Sequence, residues 1–194
     1  KRTTAKPQRA GLRNFITRST MNPKTLDDGR EVIFRFAEKS DAKEILSYLK
    51  KVGSETDFLS FGFEGVGSDV QKEEEIITRF ARAAMIVGTL SDKIISVGTL
   101  SANATSRFSH NAEVGISVLK EFWGKGIGAH LMNLILEFAR TTKHVKNVHL
   151  TVIDENDRAM SLYEKTGFKV VGRYKNFSFV DGKYRDAIIM EKEI

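Results

Sequence analysis

The chain contains no cysteine and only two prolines among its 194 residues. The lack of cysteine excludes a disulfide framework and a cysteine nucleophile, so a zinc site would have to use histidine and carboxylate ligands alone. The four histidines show neither His-x-x-x-His nor His-Glu-x-x-His spacing, and we expect no metal site. No apolar run reaches the roughly 18 residues that span a bilayer. These absences predict a soluble, cytoplasmic protein with no metal and no membrane partner.

The net charge of +6 is concentrated at one end of the chain. Residues 1–24 hold seven Lys or Arg residues and no acid, whereas the remainder is nearly neutral. Such a segment is typical of a disordered extension, a nucleic-acid tether or an organelle transit segment. We expect a disordered extension over residues 1–24, one domain over residues 25–194, and no nucleic-acid partner. A tether would instead predict salt-dependent binding that disappears when the segment is deleted.

The apolar periodicity predicts the order strand, two helices, three strands, helix, strand, helix, two strands. Turn signals at 91–93 and at Asp181-Gly182 predict two antiparallel hairpins. Ser40 is predicted to cap the first helix, and the second helix is predicted to run from Val70 to Ala84 with Glu73 facing solvent. The fold class is therefore α/β, with a single mixed, mostly antiparallel sheet of about seven strands flanked by about four helices.

The most informative stretch runs over residues 113–140, where the apolar period changes from that of a strand to that of a helix. Three glycines, Gly124, Gly126 and Gly128, lie at this change, so the main chain and the free N–H groups of the helix start can approach phosphate oxygens closely. Gly124-x-Gly126-x-x-Ala129 also fits the dinucleotide-binding fingerprint. The polar residues at 120–121 interrupt the strand, however, and too few strand-helix units follow for that fold.

Residues 122–129, Phe-Trp-Gly-Lys-Gly-Ile-Gly-Ala, resemble the acyl-CoA pyrophosphate loop of GCN5-related N-acetyltransferases, the GNAT family, with the pattern Arg/Gln-x-x-Gly-x-Gly/Ala. Gly126 and Gly128 take the two glycine places, while Trp123 stands where the family usually has Arg or Gln. The segment Asn156-x-x-Ala159-x-x-x-Tyr163-x-x-x-Gly167-Phe168 resembles the family's C-terminal helix signature. Together the two motifs extend the resemblance over residues 31–194.

The resemblance implies acetyl-CoA as cosubstrate, bound between two strands that splay apart. It places the pantetheine arm along the backbone of Ile116, Ser117 and Val118, and the pyrophosphate on Trp123, Gly124, Lys125, Gly126, Ile127, Gly128 and Ala129. The Lys125 side chain either adds charge to this cradle or is a solvated surface lysine. Asn156 is predicted as a helix N-cap from its residue type, and the resemblance adds a contact to the cofactor.

The implied chemistry is direct attack of an amine on a thioester. An aliphatic ammonium has a pKa near 10.4 and must lose a proton first, so a base is required. Glu113 is the candidate base, because strand alternation points it away from the apolar row, although an acid at a strand start is often only exposed. Tyr163 is the candidate acid for the departing thiolate or, alternatively, a core tyrosine. The N–H of Ile116 or Val118 is the candidate oxyanion donor.

The sequence thus predicts an N-acetyltransferase that moves an acetyl group from acetyl-CoA to a primary amine of a small molecule or protein in a ternary complex. The alternative is a non-catalytic acyl-CoA-binding module. The loop at 53–69, with Phe58, Phe61 and Phe63, is expected either to wall the acceptor site or to pack on the core. Glu64 and Asp69 on this loop suggest an acidic rim for a cationic acceptor. A homodimer is left open.

Overall fold

The computed structural model describes residues 21–79, 84–102, 105, 107–142 and 144–194. The first 20 residues of the predicted basic extension lie outside this description. The described strands are β1 Met21–Thr25, β2 Glu31–Phe36, β3 Ala84–Leu90, β4 Lys93–Ala102, β5 Asn111–Val118, β6 Asn147–Ile153, β7 Lys169–Val180 and β8 Lys183–Glu193. The described α-helices are α1 Ala42–Ser54, α2 Val70–Arg79, α3 Ile127–Thr141 and α4 Asp157–Lys165.

The strands form one sheet in the order β1-β2-β3-β4-β5-β6-β8-β7. Neighbours pair antiparallel except β5 and β6, which run parallel. Both hairpins form where the turn residues predicted them, and Asp181 and Gly182 have the positive φ angles that a tight turn between two strands requires. The predicted mixed, mostly antiparallel sheet with four helices is confirmed.

The sheet has eight described strands rather than about seven, because residues 21–25 form β1 at its edge. Its sequence, Met-Asn-Pro-Lys-Thr, lacks the apolar alternation that identifies a strand, and Pro23 cannot donate to a ladder. An edge position tolerates that proline, and the pairing with β2 is irregular between Met21 and Lys24. The predicted boundary after residue 24 therefore falls inside a strand, and Lys24 belongs to the folded sheet.

Three predicted details of the first two helices were wrong. Ser40 does not cap α1; the helix follows a short 3-10 turn, whose Asp41 carboxylate accepts the Glu38 N–H at 2.7 Å and two hydrogen bonds from Arg35 at 2.6 and 2.8 Å. Helix α2 ends at Arg79 in the described residues, and Ala84 already belongs to β3. Glu73 is 3% exposed rather than solvated, and burial raises the pKa of its carboxyl group.

Helix α3 packs its apolar face on the sheet beside β3, β4 and β5. Its residues Leu131, Met132 and Ile135 are completely buried, which matches the three- and four-residue spacing of the sequence. This packing fixes the helix start, and with it the glycine turn, against the end of β5.

Candidate functional site

A cleft opens in the sheet between the two parallel strands. Strands β5 and β6 pair only through 111–113 and 147–149, and their remaining residues separate. The gap is a cleft of about 650 Å³. Of the predicted site residues, Lys125 does not line it; those that do are Glu113, Ile116, Ser117, Val118, Trp123, Gly124, Gly126, Ile127, Gly128, Ala129, Asn156 and Tyr163. Side chains far apart in the sequence thus share one cavity.

The main chain of β5 presents alternate peptide groups to this cleft. The N–H of Leu119 donates to the Ile95 oxygen of β4 at 3.0 Å. Since antiparallel ladders alternate, the N–H and C=O groups of Ile116 and Val118 point away from β4, into the gap. Ser117 bonds instead to β4 through its main chain. Ile116 can therefore offer its N–H and C=O to a bound chain, and Val118 its N–H, since the Val118 oxygen already accepts the Trp123 indole N–H.

The glycine turn ends the cleft at the start of α3. Gly126 is the N-cap residue with φ +76°, a left-handed conformation that strains other residues. A Cβ on Gly128 would lie 2.9 Å from the Leu162 Cδ1 of α4, so this glycine allows α3 and α4 to approach closely. The first-turn N–H groups of α3 have no acceptor within the helix and carry the positive end of its dipole. The turn is thus suited to phosphate.

The Trp123 side chain contacts both β5 and α4. Its indole Nε1–H donates to the Val118 oxygen at 2.7 Å, which ties the turn to the end of β5. The Arg158 guanidinium lies 3.1 Å from the centre of its ring. Arg158 lines the cleft and was missed in the sequence, because it occupies a variable position of the helix signature. Arg158 therefore places a positive charge beside Trp123, the position at which the family pattern has Arg or Gln.

Two lysines lie around the turn at its outer side. Lys125 is exposed, and its ammonium lies 5.4 Å from the centre of the Phe122 ring rather than in the cleft wall. Lys24 of β1 packs against the turn: a Cβ on Gly126 would lie 3.4 Å from its Cε and 4.0 Å from its Nζ. His130 of α3 also bonds through Nε2 to the Asn22 oxygen at 2.8 Å. Strand β1 therefore borders the end of the cleft that the glycine turn forms.

Glu113 and Tyr163 lie in the wall of the same cleft. Glu113 is exposed at the closed end, where it is the register partner of His149 in the last ladder pair between β5 and β6. Burial raises the pKa of Tyr163 to about 12, so its phenol stays protonated at neutral pH. Among the described residues its hydroxyl has no hydrogen-bond partner, which leaves the donor available to a ligand. Asn156 caps α4 by accepting the Ala159 N–H at 3.2 Å.

Tyr48 of α1 supports the opposite face of β5. Its hydroxyl donates to the Ser117 Oγ at 2.9 Å, and burial raises the pKa of the phenol. The buried face of α1 includes Ile45, Tyr48 and Val52, whose spacing was visible in the sequence, but no sequence signal linked Tyr48 to Ser117. This contact fixes Ser117 and so the strand that carries Glu113.

The predicted loop at 53–69 begins only after Ser54, where α1 ends, and its aromatic residues have three different environments. Phe58 lines the cleft, Phe61 packs on the core, and Phe63 is 79% exposed. Glu64 and Asp69 are absent from the described cleft wall, and each is engaged locally. Glu64 accepts the Gly62 N–H at 2.9 Å, and Asp69 accepts the Lys72 N–H at 2.8 Å. The geometry therefore gives no support to an acidic rim from these two residues.

None of the described helices combines the length and hydrophobicity needed to cross a membrane. The cleft offers main-chain groups, a phosphate-binding turn, a carboxylate and a protonated phenol along one cavity. This set is suited to transfer of an acyl group from a nucleotide-linked carrier to a nucleophile, with the carboxylate as base and the phenol as acid.

Comparison with known proteins agrees with this chemistry. The chain is 28% identical over 107 residues to the L-amino acid N-acetyltransferase of Escherichia coli strain K12, covering 55% of this chain and 66% of the relative. It is 34% identical over 79 residues to the spermidine N(1)-acetyltransferase of the same strain, covering 41% and 42%. The matches thus span less than two thirds of either relative.

A solved structure is similar over a larger part of the chain. The GNAT-family acetyltransferase of Streptococcus pneumoniae superposes with a TM-score of 0.82 at 28% identity, covering 84% of this chain and all of that one. The model of the acetyltransferase (GNAT) family matches residues 56–168, more than half of the chain and including both sequence motifs. The chain belongs to the GNAT acetyltransferase family.

Proposed function

We propose that the chain is an acetyl-CoA-dependent N-acetyltransferase that acetylates a primary amine by direct attack in a ternary complex. The observation that carries the proposal is the splayed β5–β6 cleft, which ends in the glycine turn and has Glu113 and Tyr163 in its wall. When bound, acetyl-CoA supplies the activated acetyl group. The main-chain groups of Ile116 and Val118 hold the pantetheine arm, and the first turn of α3 holds the pyrophosphate.

The proton steps follow from the two ionisable groups. Glu113 accepts the proton that the amine must lose before or during attack on the thioester carbon. A main-chain N–H of β5, that of Ile116 or Val118, stabilises the oxyanion of the tetrahedral intermediate. Tyr163 donates to the departing sulfur. Because its pKa exceeds the roughly 8.5 of a thiol, the phenol keeps its proton and stabilises the thiolate by a hydrogen bond. The thiolate then takes a proton from water, and Glu113 releases the amine proton to water, so the net transfer is one proton from amine to thiol.

The test is acetyl-CoA turnover, followed as free thiol against a panel of amines, with wild type beside Tyr163→Phe. We expect thiol release that depends on one class of amine, and a fall of about 100-fold in kcat for Tyr163→Phe, because positioned acids contribute factors of this size. Tyr184→Phe is the matched control: Tyr184 is 67% exposed, packs on Phe179 and lies outside the described cleft wall.

Three outcomes separate the candidate functions. Turnover that Tyr163→Phe reduces and Tyr184→Phe leaves intact supports the enzyme. Binding of acetyl-CoA without thiol release for any amine would favour the acyl-CoA-binding module. No binding of acetyl-CoA, measured by calorimetry on the full chain, would refute both.

A further inference from the structure

Arg185 of β8 is a largely buried cation with unfilled hydrogen-bonding capacity. Its side chain is 16% exposed, and its ion partners Asp57 and Glu155 lie at 3.6 and 3.7 Å. Both distances exceed the 2.7–3.2 Å of a good N–H···O bond. Within the described residues, the guanidinium therefore has no hydrogen-bond acceptor for its five N–H donors. Burial of a charged group without hydrogen-bond partners costs free energy, unless a bound ligand supplies those partners.

Other arginines of the chain show how a structural guanidinium is satisfied. Arg35 makes two bonds to the Asp41 carboxylate at 2.6 and 2.8 Å. Arg173, on the neighbouring strand β7, contacts Asp186 at 2.9 Å and Asp154 at 2.7 Å. The greater burial and the looser pairing of Arg185 thus distinguish it from arginines whose role is to hold the fold.

Arg185 lies beside two residues of the cleft wall. Its guanidinium carbon is 5.9 Å from the centre of the Phe58 ring, and Phe58 lines the cleft. Its cross-strand partner is Ser178 of β7, which also lines the cleft. Direct partners in an antiparallel pair share one face of the sheet, so the two side chains are neighbours. The guanidinium therefore neighbours the β7–β8 side of the cavity, although Arg185 is not itself among the lining residues.

Ser178 carries the second unfilled group. Its Oγ is buried and finds no partner in the described part of the chain. A buried hydroxyl without a partner costs roughly 1–3 kcal/mol, so such groups are normally bonded to protein, water or ligand. An unpaired donor beside a guanidinium with free N–H groups favours one kind of ligand, an anionic oxygen acceptor.

We propose that Arg185 and Ser178 form a carboxylate subsite, so that the acceptor carries a carboxylate as well as the amine that is acetylated. The proposal rests on the proposed N-acetyltransferase function and names its class of acceptor, an amino acid. The planar guanidinium matches a carboxylate in a two-pronged arrangement. Asp57 and Glu155 are exposed carboxylates at long distance, which gain little from the pairing and are readily displaced. A purely cationic amine gains nothing from this guanidinium.

The experiment compares three versions of each acceptor: a set of L-amino acids, their amides, and the amines that lack the carboxyl group altogether. The amides are a stringent control, because their amino groups lose a proton more readily than those of the acids. We expect kcat/KM to be at least about tenfold higher for the acids, as expected for a charged hydrogen-bonded pair. Arg185→Met should remove this preference and leave the amines almost unchanged.

Arg173→Met is the matched control, because it removes a satisfied arginine from the same hairpin and should keep the preference for acids. Arg185→Lys should recover only part of the preference for acids, since lysine keeps the positive charge but cannot donate two parallel hydrogen bonds to a carboxylate as the planar guanidinium does. Equal turnover of acids, amides and amines, or of spermidine and the acids, would overturn the proposal. So would an equal loss for all acceptors in Arg185→Met.

Direct binding separates the failure of this inference from that of the proposed function. Calorimetry measures binding of the same amino acids to the full chain loaded with CoA. Amino-acid binding that Arg185→Met abolishes, in a protein that releases no thiol, would support the subsite and refute the transferase. If the protein neither binds nor acetylates any amino acid, the subsite is overturned, whether or not other amines react.

Discussion

The two ends of the cleft are built in different ways. The proposed cofactor end uses main-chain groups of one continuous stretch, from β5 through the glycine turn to α3, and Gly126 and Gly128 shape it. The proposed acceptor end uses side chains from separate segments: Phe58 after α1 and Ser178 of β7 line the cleft, and Arg185 of β8 lies beside them. A site made of backbone keeps its chemistry when side chains change, whereas a site made of side chains changes its ligand with each substitution.

The largest expected effect comes from removing the proposed base, Glu113, at the closed end of the cleft. Glu113→Gln should lower kcat/KM about 100-fold or more at neutral pH and leave acetyl-CoA affinity unchanged, because the amine then keeps its proton. The difference in kcat/KM between wild type and Glu113→Gln should shrink as pH rises toward the pKa of an aliphatic amine, roughly 10.4, because the amine then loses its proton without a base. A pH profile of thiol release measures this, with Glu137→Gln, an exposed residue of α3, as control. A deficit that is constant with pH would argue against a base.

A smaller effect, confined to the cofactor end, should follow Gly126→Ala. The φ angle of +76° makes any side chain here cost about 1–2 kcal/mol, and the new Cβ would touch Lys24 Cε at 3.4 Å. Gly29→Ala has the same kind of strain, φ +81°, with nothing within 4 Å. We expect both variants to lose similar stability in denaturant titrations, and only Gly126→Ala to bind acetyl-CoA about tenfold more weakly. Equal affinities would show that the turn geometry is not needed.

The difference between the two ends also explains what the sequence could predict. The glycine turn, Asn156 and Tyr163 lie in continuous motifs, so most residues that line this end of the cleft were predicted, apart from Lys125, which does not line it, and Arg158, which was missed. The order of elements from β2 to β8 is also the predicted one. Arg185 and Ser178 meet only because β7 pairs with β8 through an irregular register between Tyr174 and Ser178. No local pattern encodes such a pairing of side chains. Tyr48 and Ser117, 69 residues apart, were missed for the same reason.

Strand β1 was missed because its residues carry no apolar alternation, although its pairing partner β2 was predicted. The consequence reaches the site, since Lys24 was counted with the basic extension and instead lies beside the turn that is suited to phosphate. Lys24, predicted as part of a disordered extension, is thus placed beside the glycine turn once β1 is recognised as an edge strand of the sheet.

The smallest expected effect tests this assignment. Lys24→Ala should weaken acetyl-CoA binding about two- to fivefold, because a partly exposed charge contributes less than about 1 kcal/mol. The loss should fade in high salt, since screening weakens exposed charges. Calorimetric titration at low and high salt measures this, and Lys93→Ala, an exposed lysine at the β3–β4 turn that does not line the described cleft, should have no effect. A salt-independent loss would instead indicate that Lys24 supports the turn by packing on Gly126. An unchanged affinity would show that the cofactor end holds its phosphates by the glycine turn and the side chains of the cleft alone, without help from the edge strand.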